Sequence, residues 1–197
     1  SLINKNYAVH AYKYTPQFDH QQLAIKAWKD FKNCRMSLFK RIGSSIPSIR
    51  VGHSLGCKLH LISPDGGRNC EKFISISFNN FSAKKSIPLL KQIAQKLEFS
   101  SEFSPSPERT LRIIEKTYNQ KNNFLIKFNS DELDQTEKLL SCLKARKEDN
   151  SKGAILKGTH TIIASAGLRE KILGDWADDD FQKNTIKKIT NLIEGSD

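Results

Sequence analysis

Short apolar runs alternate along the chain with longer stretches in which apolar residues return every third or fourth position. The first run, Tyr7 to Tyr12, is rich in aromatic and apolar types and reads as a buried strand that Thr15-Pro16 closes. From Asp19, a favourable N-cap, the residues Leu23, Ala27, Phe31, Cys34 and Leu38 define one face of a helix that Gly43 to Pro47 ends. Ile49 to Val51 is a second strand. Leu55 to Ile62 is a helix closed by Pro64-Asp65-Gly66-Gly67, a strong turn signal. Phe73 to Phe78 and Phe124 to Phe128 are further strands, and Ala154 to Leu156 is a short fifth. Helical patterns fill Ser86 to Leu97, Pro107 to Tyr118 and Asp134 to Arg146. A last helix, Phe181 to Ile193, places Phe181, Ile186, Ile189 and Ile193 on one side.

Strands that alternate with helices of about ten residues or more predict βαβ units, and so an α/β fold with a mostly parallel sheet covered on both faces. The 197 residues suit a single domain with a sizeable core, spanning 1–197. No internal repeat or low-complexity tract interrupts it. No apolar stretch approaches the roughly 18–20 residues that span a bilayer, so no transmembrane segment is expected. Ser1 to Lys5 has neither a start Met nor a signal-peptide layout, and the chain reads as processed or as a fragment.

Charge changes this picture little. Thirty-two Lys and Arg against 21 Asp and Glu give +11, a sign that favours nucleic acid, anionic surfaces or acidic protein partners. The basic residues are scattered in pairs such as Lys84-Lys85 and Lys187-Lys188, without a long basic run or interleaved aromatics, so nucleic acid is not the expected partner. Cys34, Cys57, Cys70 and Cys142 are widely spaced and form no CxxC. Such sparsity fits buried thiols in a reducing compartment rather than a disulfide framework. The five His form no HExxH and join no cysteine cluster, and neither a metal nor a cofactor is expected.

The sharpest chemical feature is Gly52-His53-Ser54-Leu55-Gly56, a G-x-S-x-G placed directly after one strand and directly before a helix. A serine on so tight a turn is held in a strained backbone conformation, and glycines on either side are expected to avoid clashes there. Its hydroxyl would project above the carboxyl edge of the sheet. The backbone N–H of Leu55 would point at the oxyanion formed when that hydroxyl attacks a carbonyl.

A serine nucleophile needs a base, and the base needs a carboxylate to orient it. In the chain order serine, acid, histidine, the acid follows a later strand and the base lies in a loop nearer the C-terminus. Asp131 sits just past the strand Phe124 to Phe128 and is the expected acid. Asp134 is the alternative, although it could equally cap the next helix. His160, in Gly158-Thr159-His160 after the last strand, is the expected base. His10, His20, His53 and His60 read as structural, with the His53 side chain expected to point away from the nucleophile. Asn79 and Asn80 follow a strand end near the elbow, where they would either orient substrate or hold the loop.

The segments Phe18-Asp19-His20, Gly52 to Gly56 with Leu59-His60-Leu61, Ile76-Ser77-Phe78-Asn79-Asn80-Phe81 and Glu102-Phe103-Ser104-Pro105-Ser106-Pro107-Glu108 belong to one pattern. So do Leu125-Ile126-Lys127-Phe128 with Asp131 and Asp134-Gln135, and Gly158-Thr159-His160. From about Tyr7 to His160 the chain resembles the domain-of-unknown-function 1350 family, α/β-hydrolase-like proteins of cyanobacteria and photosynthetic eukaryotes. The resemblance implies an α/β-hydrolase-like fold and a plastid (chloroplast) location. It implies a site at Ser54, Asp131 and His160 rather than a reaction; the residue types themselves lead to the expectation of a serine hydrolase acting on an ester or thioester. The family starts with an earlier strand and a Gly-rich loop that supplies a second oxyanion donor, and here those N-terminal strands are missing from the pattern. The segment 82–118 lies where such hydrolases insert a lid, whose Ile87, Leu89, Leu90, Ile93 and Leu97 would either pack as a helix on the sheet or line a lipid-like acyl pocket. The alternative expectation is a catalytically inactive hydrolase-fold subunit with protein partners in a larger photosynthetic assembly.

Overall fold

In the computed structural model, residues 2–86, 102–163 and 180–195 are described. Four strands pair in chain order, and every pairing is parallel: β1 (Ile49–His53), β2 (Lys72–Ile76), β3 (Asn123–Phe128) and β4 (Lys152–Leu156). Parallel neighbours cannot be joined by a tight turn and need a crossover, usually a helix. The helix α2 (Leu55–Leu61) joins β1 to β2, α4 (Pro107–Thr117) lies between β2 and β3, and α5 (Thr136–Lys144) lies between β3 and β4. Right-handed crossovers that always step the same way put their helices on the same face of the sheet.

The two faces follow from the two-residue period of the strands. Phe73 and Leu125 face one way and pack with Cys57 and Leu61 of α2, Ile114 of α4, and Leu139 and Leu143 of α5. Ile74, Ile76, Ile126 and Phe128 face the other way and pack with Ile189 and Ile193 of the last helix, α6 (Asp180–Glu194). Burial on both sides explains why β2 and β3 read as near-continuous apolar runs. The buried face of α6 is shifted from the expected one: Gln182, Thr185, Ile189, Thr190 and Ile193 are buried, while Phe181 is exposed. Packing rather than apolarity sets that phase, because the Thr185 and Thr190 hydroxyls bond back to Phe181 and Ile186 carbonyls and so enter the core satisfied.

The long helix α1 (His20–Ile42) begins and ends where its caps dictate. Asp19 accepts the Gln22 N–H at 2.9 Å, and Gly43 closes it in the left-handed conformation at φ 78°. Leu23 and Ala24 in its first half pack on Leu59 and Ile62. Its second half leaves Met36, Phe39 and Ile42 exposed. The segment Tyr7 to Tyr12 is not a strand: it is irregular and largely exposed, and pairs with no strand among the described residues. Two of its rings pack on α1, where His10 and Tyr12 rest against Phe31. β1 is therefore an outer strand among the described residues, and Val51 on it is exposed. The short helix α3 (Ala83–Ser86) precedes residues 87–101, so the expected lid residues Ile87 to Leu97 lie outside the described residues. Within the described part of 82–118, α4 covers the sheet and buries Thr110 and Ile114 against the core.

One buried ion pair braces the β1–β2 crossover. Arg50 donates from both terminal nitrogens to Asp65, at 3.0 and 2.5 Å, and Asn69, Ser63 and the Gly67 N–H add further donors to the same carboxylate. Burial works against ionisation, but these donors win and hold the Asp65 carboxyl far below the usual carboxylate range. A depressed native pKa gives stability that is full above the unfolded value of about 4 and is lost as pH falls below it. Unfolding free energy measured between pH 6 and 2 is expected to fall more steeply in the native chain than in Asp65→Asn. Equal slopes would remove Asp65 as a source of the acid sensitivity.

Candidate active site

Each member of the candidate site lies just beyond the carboxyl end of a different strand. Ser54 links β1 directly to α2 and has φ 54° and ψ −122°, a conformation that non-glycine residues rarely adopt. Its backbone is fixed on both sides: the Ser54 N–H donates to the Ile76 carbonyl at 2.9 Å, and its carbonyl accepts from Cys57 at 3.0 Å. Gly52 allows this turn, because a Cβ there would lie 2.7 Å from the Cys57 backbone nitrogen. Gly56 corrects the expectation from the motif, since a Cβ there would meet nothing within 4 Å. Leu55 is the first residue of α2, so its N–H is among those that no carbonyl of the helix can accept.

Past β3, the chain turns with the Asp131 N–H donating to the Phe128 carbonyl at 3.2 Å. Asp131 Oδ1 accepts the Leu133 N–H at 2.9 Å, which leaves Oδ2 aimed at the loop beyond β4. That loop is tied to the end of β3. Ser130 N–H donates to the Gly158 carbonyl at 3.0 Å, and Gly158 N–H donates to Asn129 Oδ1 at 3.0 Å. Gly158 is needed there, with φ 145° and Ile162 and Phe128 crowding the place of a Cβ. His160 then stands between the other two groups. Its Nδ1 lies 2.8 Å from Asp131 Oδ2, and its Nε2 lies 2.9 Å from Ser54 Oγ. The Asp131 side chain is fully buried and that of His160 is 17% exposed, so the carboxylate is dry while the imidazole still meets solvent.

The structure thus brings Ser54, Asp131 and His160 into one hydrogen-bonded chain. Asp134 stands apart from it: its two carboxylate oxygens accept the Thr136 N–H at 2.8 Å and hydroxyl at 2.7 Å, at the start of α5. Asn79 accepts the Phe81 N–H. Asn80 takes Gln135 Oε1 on its N–H and donates its side-chain amide to the Pro107 carbonyl. None of these bonds reaches the triad, and all of them hold the loop after β2. Cys57, three residues from Ser54, donates to the Ile76 carbonyl and its thiol is pushed up to about 12 by burial, so it is no competing nucleophile. Among the described residues no group of three or more His, Cys, Asp and Glu could hold a metal ion, and no helix is long and apolar enough to cross a membrane.

The other histidines divide. His20 stacks on Phe103 at 4.3 Å, and burial lowers its pKa to about 3. His60 lies between Phe31 and Phe73 with its Nε2–H on the Val51 carbonyl. His53 also makes a structural contact, but to the backbone of another member of the site. Its ring turns toward the loop beyond β4, and Nε2 donates to the His160 carbonyl at 2.9 Å. Strand alternation carries the signal for this. With Gly52 facing α2, His53 must face the opposite side, where Ile76 is its register partner and the β4 loop returns.

Comparison with solved structures places the fold. Over 85% of this chain and 74% of that one, it is similar to a monoacylglycerol lipase of Paleococcus ferrophilus, with 13% identity and a TM-score of 0.51. Over 88% of this chain and 28% of that one, it is similar to an acylaminoacyl peptidase of Pyrococcus horikoshii, with 16% identity and a TM-score of 0.53. An esterase of Pyrococcus furiosus matches 87% of this chain and 64% of its own, at 18% identity and a TM-score of 0.49. The likeness to the lipase and the peptidase is one of fold, and the fold is α/β-hydrolase-like. No curated protein matches the chain in sequence. The family model described as "Protein of unknown function (DUF1350)" matches residues 1–188, and the chain belongs to that family.

Proposed function

We propose that the protein is a serine hydrolase acting on an ester or thioester. The observation that carries this reading is the hydrogen-bonded run from Ser54 Oγ through the His160 imidazole to Asp131, with Ser54 at a strained strand-to-helix turn. Ser54 Oγ attacks the carbonyl carbon as its proton passes to His160 Nε2, and a tetrahedral oxyanion forms beside the Leu55 N–H. Asp131 holds Nδ1–H and stabilises the imidazolium. His160 then gives its proton to the leaving alcohol or thiol. A water, deprotonated by His160, attacks the acyl-Ser54 carbonyl, and His160 returns that proton to Ser54 Oγ as the C–Oγ bond breaks and the carboxylic acid leaves.

A fluorophosphonate probe tests for the activated serine itself, since Oγ displaces fluoride from phosphorus only when a base takes its proton. Incubation of the folded chain with the probe is expected to give one adduct, mapped by mass spectrometry to Ser54. The alternative, a retired hydrolase domain that serves only as a subunit, predicts no adduct on Ser54. That outcome would sink the enzymatic reading.

A further inference from the structure

We propose that His53 is a positioning residue, which sets the place of the general base by holding the backbone of His160; the inference rests on the serine-hydrolase reading for its consequence in rate. A base on a loop has a registration problem. The His160 imidazole must present Nδ1 to Asp131 and Nε2 to Ser54 together, and both contacts depend on where the His160 backbone sits. The clasp from Asn129 and Ser130 grips the loop two residues earlier, at Gly158. At His160 itself the backbone carbonyl is held by His53 Nε2.

The closure this makes is short. His53 precedes Ser54 in the chain, so the nucleophile and the residue that grips the base share one peptide bond. From Ser54 Oγ the path runs through the His160 ring to the His160 carbonyl, then through the His53 ring and backbone to Ser54. Two hydrogen bonds of 2.9 Å complete that ring. Any drift of the β4 loop away from the elbow must stretch both. The two imidazoles stand 5.1 Å apart, so a charged His53 would oppose the positive charge that His160 gains in the reaction. Burial favours neutral His53, which places its proton on Nε2 toward the carbonyl.

The test uses the full chain as native protein, His53→Gln and His53→Leu, each checked for unchanged thermal unfolding, with two readouts. The first is the pH profile of the rate of fluorophosphonate labelling. The second is the NMR resonance of the His160 Nδ1 proton, which needs no reaction. His53→Leu is expected to slow labelling by about 10- to 100-fold, as a base displaced by about 1 Å would, and to broaden or lose the resonance. His53→Gln, whose amide N–H can reach the same carbonyl, is expected to restore most of both. Native-like labelling and resonance in His53→Leu would overturn the proposal, as would a Gln variant no better than Leu in both. If the native chain takes no label, the hydrolase reading fails, and the resonance alone still decides whether His53 positions His160.

Discussion

Ser54→Ala is expected to abolish covalent labelling, and Asp131→Asn to slow it by about 10⁴-fold, with the fold intact in both. Alanine removes only the reacting oxygen, and Ser54 makes its structural bonds through its backbone, to Ile76 and Cys57. The asparagine case is the more informative one. Asp131 Oδ2 accepts the His160 Nδ1 proton at 2.8 Å in a fully buried position. An amide nitrogen in that place donates instead, and moves the imidazole proton to Nε2. His160 then offers Ser54 a donor where the reaction needs an acceptor. Asp134 cannot take over, because both its oxygens are engaged by Thr136. Asp134→Asn should therefore leave the labelling rate within about twofold and cost at most about 1 kcal/mol of stability through the helix start. Rates of labelling for the three variants, read beside their circular dichroism, check this. A larger loss in Asp134→Asn than in Asp131→Asn would reverse the assignment of the acid.

The second large effect is on stability. Gly52→Ala is expected to cost about 3 kcal/mol or more, a large share of the 5–15 kcal/mol typical of a domain. Its Cβ would lie within 2.8 Å of the Cys57 and Gly56 backbone, which cannot turn aside as a flexible side chain could. Relief would require α2 to move off β1, and Ser54 is the joint between them. Gly56→Ala is expected to be neutral or to stabilise by up to about 1 kcal/mol, since the site is open and helical. Denaturant titration of the two variants measures the contrast. Equal midpoints would show that α2 yields at little cost.

Much of this was legible in the sequence because the signals were local. Asp19 and Gly43 bound α1 by capping chemistry, and the chain order Ser54, Asp131, His160 carries the site, since each residue follows a strand. What the sequence concealed depended on partners remote in the chain. Tyr7 to Tyr12 has strand-like composition, yet a strand exists only with an edge to pair, and these rings pack on Phe31 instead. The two glycines of the motif look equivalent as letters. Only the path of α2 makes one of them obligatory and leaves the other open. His53 was hidden likewise, since its partner is a carbonyl 107 residues away. The choice between Asp131 and Asp134 turned on which carboxylate the next helix start had already engaged.

The strand order has a consequence for how the protein is made. Ser54 and His160 are 106 residues apart, and β2, β3 and β4 are synthesised between them and pair one after another. During synthesis from the N-terminus the elbow can form against β2 while its base is still untranslated. A nascent chain that ends before residue 160 therefore carries a serine with no proton acceptor. On the proposed mechanism, reactivity toward acyl compounds would arrive only after β4 and the loop that carries His160 are made, and a chain stalled before that point would be silent toward them.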